Sequence, residues 1–208
     1  MSMGHDTVNL LPVWIGVVGV MMFLLIAASH VLHLARASGE RRWWHVSHVL
    51  MAVGMAFMYF TNSLDRFAIA VGLWQMLFAV VAVLVTSRAL AGLTGLASNN
   101  PLWILTAIEL GTMVYMWSSS SYVPVVTWAL TAYLFVEAAL WAVNAYRQID
   151  HDAPLLGWTS LAAVPEAGAA VLASPGTPSL IGGLDISVSM TAMAIGMAYM
   201  LAAMQLVT

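Results

Sequence analysis

Long apolar stretches separated by short polar segments dominate this chain and decide what it can fold into. Six such stretches approach the roughly 20 residues that a helix needs to cross a bilayer. Their approximate ranges are 10–32, 43–61, 67–87, 101–118, 123–145 and 184–206. Only 7% of the residues are charged, whereas a soluble domain carries about a quarter. The sequence therefore predicts an all-α integral membrane protein, a six-span helical bundle forming a single transmembrane domain over residues 1–208.

One further segment, residues 153–174, is less clearly assigned. It is moderately apolar but carries Pro165 and Glu166 near its middle, and a central glutamate is costly in lipid unless it is paired. We expect an interfacial or re-entrant piece, and a seventh span is the alternative. Gly182 and Gly183 predict a loop before the last span, which we place from residue 184.

The arginines predict the orientation of the bundle. Under six spans the odd-numbered loops hold Arg36, Arg41, Arg42, Arg88 and Arg147, and an even-numbered loop holds Arg66. Because positive charge concentrates in cytoplasmic loops, the odd loops are predicted to be cytoplasmic and the N-terminus outside. The second, fourth and sixth spans then run in one direction, from the inside to the outside.

A methionine-rich octapeptide occurs twice in the chain. Residues Met51–Met58 and Met193–Met200 differ at two positions, and the fourth span carries a shorter version at Met113–Met116. The chain thus reads as three helical hairpins, each with a methionine-bearing second helix. Since thioether sulfur is soft and neutral, it suits Cu(I). The candidate ligands are Met51, Met55, Met58, Met113, Met116, Met193, Met197 and Met200.

Packing is the competing interpretation of this pattern. Methionine is a flexible apolar filler, and small residues spaced four apart in the octapeptide, such as Ala52 and Ala56, allow helices to approach closely. With no cysteine in the chain, disulfides and thiolate ligands are excluded, so a soft metal would require methionine or histidine.

Four histidines lie around the first predicted hairpin. His30 and His33 precede the turn, and His45 and His48 follow it. Residues spaced three apart share a helix face, so the four imidazoles are expected to converge at one depth. They could bind copper or ligate haem, or they could anchor the spans at the membrane interface. His48 would join this group to the methionines of the second span.

Two carboxylates fall within predicted spans. Glu109 lies one turn before Met113, and Glu137 lies in the fifth span. An isolated carboxylate in lipid is costly, so both are expected to face the bundle interior. Each could tune charge or carry a proton, or be a protonated group hydrogen-bonded to Asn144, Thr131 or the backbone.

The motifs Leu50–Met58, Met113–Met116 and Met193–Met200 resemble an uncharacterised actinobacterial family of small multi-pass membrane proteins, a domain of unknown function. That resemblance implies six spans and a bacterial plasma membrane, and no activity. The three methionine-bearing helices also look like the methionine gate of trimeric eukaryotic copper transporters. Met51/Met55 and Met193/Met197 fit its MxxxM pattern, whereas Met113 and Met116 are spaced three apart.

The leading functional hypothesis is a non-enzymatic membrane protein that binds or moves Cu(I) along the methionines, with the histidines as the inner acceptor site. It would exchange copper with a donor or acceptor protein. One alternative is an accessory or assembly subunit of a larger membrane complex, such as a copper- or haem-containing oxidase. Another is a bis-histidine haem protein. No basic cluster indicates a nucleic-acid partner.

Overall fold

The computed structural model describes residues 12–35, 37–64, 71–96, 100–118, 122–143 and 180–207. These residues form a bundle of six α-helices, so the predicted all-α fold class is confirmed. The helices are α1 (Val13–Leu34), α2 (Gly39–Leu64), α3 (Val71–Leu93), α4 (Leu102–Trp117), α5 (Pro124–Ala142) and α6 (Leu180–Val207). Each overlaps one predicted span. The segment 153–174 lies outside the described residues.

The last helix begins earlier than expected. It starts at Leu180, ahead of the predicted 184, and includes Gly182 and Gly183. The prediction of a loop at these glycines was therefore wrong. Glycine is more frequent in membrane helices than in soluble ones, so two adjacent glycines need not end such a helix.

Four of the helices have the length and apolarity of membrane spans. They are α1, α3, α5 and α6. Helix α4 is also apolar but has only 16 residues, and α2 has 26 residues of which the first turn is polar. The apolar surface of this bundle places the protein in a lipid bilayer.

Local sequence signals set several helix starts. Pro12 precedes α1 and Pro124 lies in the first turn of α5, where the absent proline N–H costs nothing. At α4, the Asn100 side chain accepts a hydrogen bond from the Leu102 N–H at 3.0 Å. Gly39 opens α2 with a φ of 59°, a left-handed conformation that favours glycine in this tight turn.

The helices pair as three antiparallel hairpins, α1/α2, α3/α4 and α5/α6. The second helices run in one direction. His48 of α2 faces Glu109 of α4 and, further along both helices, Gly54 lies beside Met113. Helix α6 follows the same direction, because Ser189 contacts His30 and, further along, the Gly196 carbonyl oxygen accepts a hydrogen bond from Tyr59 of α2. All three second helices begin at the end of the bundle that carries the histidines, which we name the histidine end. This arrangement brings the methionine-bearing helices to the centre.

The first helices of the hairpins lie further out. In α3 only 17% of the apolar stretch is buried, against 56% in α6. Met21 of α1 and Met76 of α3 are exposed, as are many large apolar side chains of α1, α3 and α5. The odd-numbered helices therefore form the apolar outer surface and shield the central ones.

Each octapeptide glycine receives a phenylalanine from a neighbouring hairpin. A Cβ added to Gly54 would lie 2.4 Å from the ring of Phe78 in α3, and one added to Gly196 would lie 2.6 Å from the ring of Phe23 in α1. Both rings are fully buried. The glycines of the repeat thus have a packing role, because any larger residue would displace a phenylalanine that connects two hairpins.

Candidate functional site

Every methionine predicted as a ligand lies in the interior. Those of α2, α4 and α6 are at most 3% exposed and belong to one buried cluster. By contrast, Met21 and Met76 of the outer helices are 57% and 65% exposed. The candidate methionines of the second helices therefore converge inside the bundle, whereas Met21 and Met76 of the first helices face outward. Met22 of α1 is half-buried and packs against the core.

The three central helices share one pattern of buried positions, which defines three methionine levels. Counting from the histidine end, the first level is Met51, Glu109 and Met193; the second is Met55, Met113 and Met197; the third is Met58, Met116 and Met200. Val53, Gly111 and Ile195 are the matching exposed positions. Glu109 thus stands where the MxxxM pattern of the other two helices has its first methionine.

The structure brings the four histidines together at the histidine end, as the hairpin spacing predicts. The Nδ1 atoms of His30 and His45 lie 3.0 Å apart, so one ring donates a hydrogen bond to the other. The ring of His33 stacks on that of His45, and the ring of His30 stacks on that of His48, with centroids 5.5 and 5.2 Å apart. A continuous chain of imidazoles therefore runs from half-buried His33 to buried His48.

His30 also contacts the third hairpin. Its Nε2 atom lies 3.0 Å from the Ser189 hydroxyl of α6. Ser189 was not predicted as a site residue, although it lies one turn before Met193 on the same helix. This contact fixes the His30 ring between α2 and α6.

His48 is held in one orientation by its own helix. Its Nδ1 atom lies 2.7 Å from the Trp44 carbonyl oxygen, which can only accept, so Nδ1 carries the hydrogen. The Trp44 ring packs against the imidazole with a centroid distance of 4.1 Å. In the neutral ring, Nε2 therefore presents its lone pair to the bundle interior.

That Nε2 atom faces the carboxyl group of Glu109. It lies 3.3 Å from Glu109 Oε2, and both side chains are at most 1% exposed. Neither His48 Nε2 nor either Glu109 carboxyl oxygen makes a hydrogen bond of good geometry among the described residues. The sequence places His48 beside the methionines, but it does not indicate a contact with Glu109 on another hairpin.

The second intramembrane carboxylate, Glu137, lies next to Glu109. Glu137 of α5 is buried and interacts with Glu109 and with Tyr133. Thr131, considered as a glutamate partner from the sequence, instead donates to the Thr127 carbonyl oxygen at 2.8 Å, and Asn144 lies outside the described residues. Both carboxylates face the interior, as expected for groups that lipid cannot solvate.

The positions of the imidazole nitrogens and carboxyl oxygens bear on whether they could share one metal ion. Within the described ranges, no three histidine, aspartate or glutamate side chains are placed to share one metal ion. The 3.0 Å between the two Nδ1 atoms of His30 and His45 is also less than the roughly 4 Å that two nitrogens on opposite sides of one metal require. These two nitrogens are therefore too close to bind one metal from opposite sides.

Comparisons with known proteins identify no relative of this chain. No family model, no curated protein and no solved structure matches the chain.

Proposed function

We propose that this membrane protein binds Cu(I) in its methionine core and moves it along the three methionine levels. The observation that carries the proposal is the burial of all eight predicted methionine ligands on three central helices of one direction. Thioethers need no deprotonation and carry no charge, so they can be buried at little cost. Cu(I) is the biological cation that such a soft neutral donor set favours.

The histidine chain is the proposed place of exchange with a copper donor or acceptor protein. It reaches the end of the bundle at half-buried His33 and leads inward to His48, which lies one turn before Met51 on α2. By the positive-inside rule this end faces the cytoplasm and the N-terminus lies outside. A bacterial plasma membrane fits the resemblance of the three methionine motifs to the actinobacterial family.

Cu(I) binding is preferred to the two other hypotheses on chemical grounds. A bis-histidine haem needs two nitrogens far enough apart to place iron between them, and the His30–His45 pair is closer than that. An accessory subunit would need no buried row of soft donors. It would instead reveal itself by co-purification with a defined complex whose activity falls on deletion and is not restored by copper.

A binding titration tests the proposal. The full chain in lipid nanodiscs is titrated with Cu(I) against a Cu(I)-selective chelator, beside a variant carrying Met51→Leu, Met55→Leu, Met193→Leu and Met197→Leu. Leucine keeps the apolar volume and removes the sulfur. We expect at least one Cu(I) per wild-type chain and a clear loss in the variant.

The matched control carries the same change at Met21→Leu and Met76→Leu, which are exposed on the outer helices. It should bind as the wild type does. Equal binding by the wild type and the four-methionine variant would show that the methionines serve only to pack the helices together.

A further inference from the structure

The first methionine level contains a glutamate, whereas the other two contain only methionines, and close packing of the helices does not require this difference. In the burial pattern that the central helices share, Glu109 stands at the position that matches Met51 and Met193, where a third methionine would be expected. Leaving a buried polar group without a hydrogen bond costs about 1–3 kcal/mol, and more if it is charged. A third thioether would avoid this cost, so the carboxyl group has some compensating partner.

His48 does not by itself provide that partner. Its Nδ1 hydrogen is committed to the Trp44 carbonyl oxygen at 2.7 Å, so in the neutral ring its Nε2 lone pair meets an ionised Glu109 carboxylate acceptor to acceptor at 3.3 Å. Glu137, which also interacts with Glu109, is a second carboxyl group and adds no positive charge. Two acceptors at this separation repel each other unless a proton or a metal ion lies between them. Five fully buried polar atoms lack a well-formed hydrogen bond here, namely His48 Nε2 and both carboxyl oxygens of Glu109 and of Glu137.

We propose that the first methionine level is the resting site of a bound Cu(I) ion. Met51 and Met193 supply thioether sulfur, His48 supplies Nε2, and the Glu109 carboxylate supplies the negative charge that neutralises the ion. This site rests on the proposed function, which it refines by naming the one level where the cation is held. The second and third levels, which contain only neutral thioethers, are the passage.

Charge explains why one level would bind more tightly than the others. In a medium of low dielectric constant, a monovalent cation among neutral donors is poorly compensated, and a neighbouring carboxylate offsets that cost. The His48 ring also has the arrangement common among metal ligands, in which the nitrogen away from the ion donates to a backbone carbonyl. Trp44 thereby acts as a positioning residue for His48.

Two substitutions at Glu109 separate charge from donor number. Glu109→Gln keeps the shape and removes the charge, whereas Glu109→Met restores the third methionine of the register. Both are titrated with Cu(I) in nanodiscs beside Glu40→Gln, the same change at an exposed position of α2. We expect both Glu109 variants to bind at least about tenfold more weakly, and Glu40→Gln to bind like the wild type.

Glu109→Met distinguishes the two explanations more clearly than Glu109→Gln. It adds a thioether ligand, so a lower Cu(I) affinity in this variant would come from the lost negative charge. X-ray absorption of the Cu(I)-loaded wild type should show nitrogen beside sulfur, and His48→Leu should remove the nitrogen. Unchanged affinity in both Glu109 variants with a sulfur-only spectrum would overturn this site and leave the proposed function standing. Absence of Cu(I) binding in the wild type would overturn both.

Discussion

At the scale of single residues, His30 and His33 are polar groups whose ring nitrogens find hydrogen-bond partners inside an apolar bundle. His30 is fully buried, and both of its ring nitrogens have a partner at 3.0 Å, on His45 and on Ser189. His33 is half-buried, and its Nδ1 hydrogen is donated to the Ser29 carbonyl oxygen within α1. Removing the His30 side chain therefore takes a hydrogen-bond partner from buried groups on two other helices, whereas removing that of His33 affects its own helix and the ring it stacks on.

We predict that His30→Leu destabilises the protein by about 1–3 kcal/mol, because it removes a hydrogen-bond partner from buried His45. Thermal unfolding of the purified protein in detergent would show this as a lower midpoint. His33→Leu is the matched control and should have a smaller effect. A midpoint for His30→Leu at or above that of His33→Leu would mean that the buried contacts of His30 contribute little.

At the scale of helices, the octapeptide combines two roles on separate positions. Its methionines face the common interior, and its glycines receive phenylalanines from other hairpins. Small residues at helix contacts allow close approach in membranes, where helix association depends on packing. The repeat is therefore constrained at its glycines by packing, while its methionines line the buried core.

We predict that Gly54→Ala and Gly196→Ala each cost about 1–3 kcal/mol by overpacking. The added Cβ would meet the ring of Phe78 or Phe23 at 2.4 or 2.6 Å. Gly111→Ala, in the matching region of α4 with no atom within 4 Å, should be neutral or slightly stabilising. Unfolding in detergent compares the three, and Phe78→Leu should partly rescue Gly54→Ala. Equal stability of all three variants would contradict the interlocking of Phe78 and Phe23 with these glycines.

The sequence predicts local features of this fold better than contacts between hairpins. Apolar length predicts the helices, and the short turn after His33 predicts that the two histidine pairs meet. The contacts of His48 with Glu109, of His30 with Ser189, and of Phe78 with Gly54 join different hairpins. They depend on how each helix is rotated about its axis, and a helix apolar on all sides gives little periodic signal for that rotation.

At the scale of the whole molecule, one chain provides three hairpins whose second helices form a core of soft donors. The first helices isolate that core from lipid, and the histidine chain connects its first level to one end of the bundle. A cation entering this core would meet imidazole, then a level with one carboxylate, then two levels of thioether.

Uptake into proteoliposomes measures that movement directly. Purified wild-type protein is compared with the second-level variant Met55→Leu, Met113→Leu, Met197→Leu and with the surface control Met21→Leu, Met76→Leu, using Cu(I) held reduced and a chelator enclosed in the vesicles. We expect the wild type and the surface control to admit Cu(I) at the same rate, and the second-level variant to fall to the rate of empty vesicles. Uptake by the second-level variant at the wild-type rate, or no wild-type uptake above that of empty vesicles, would contradict movement of Cu(I) through the methionine core.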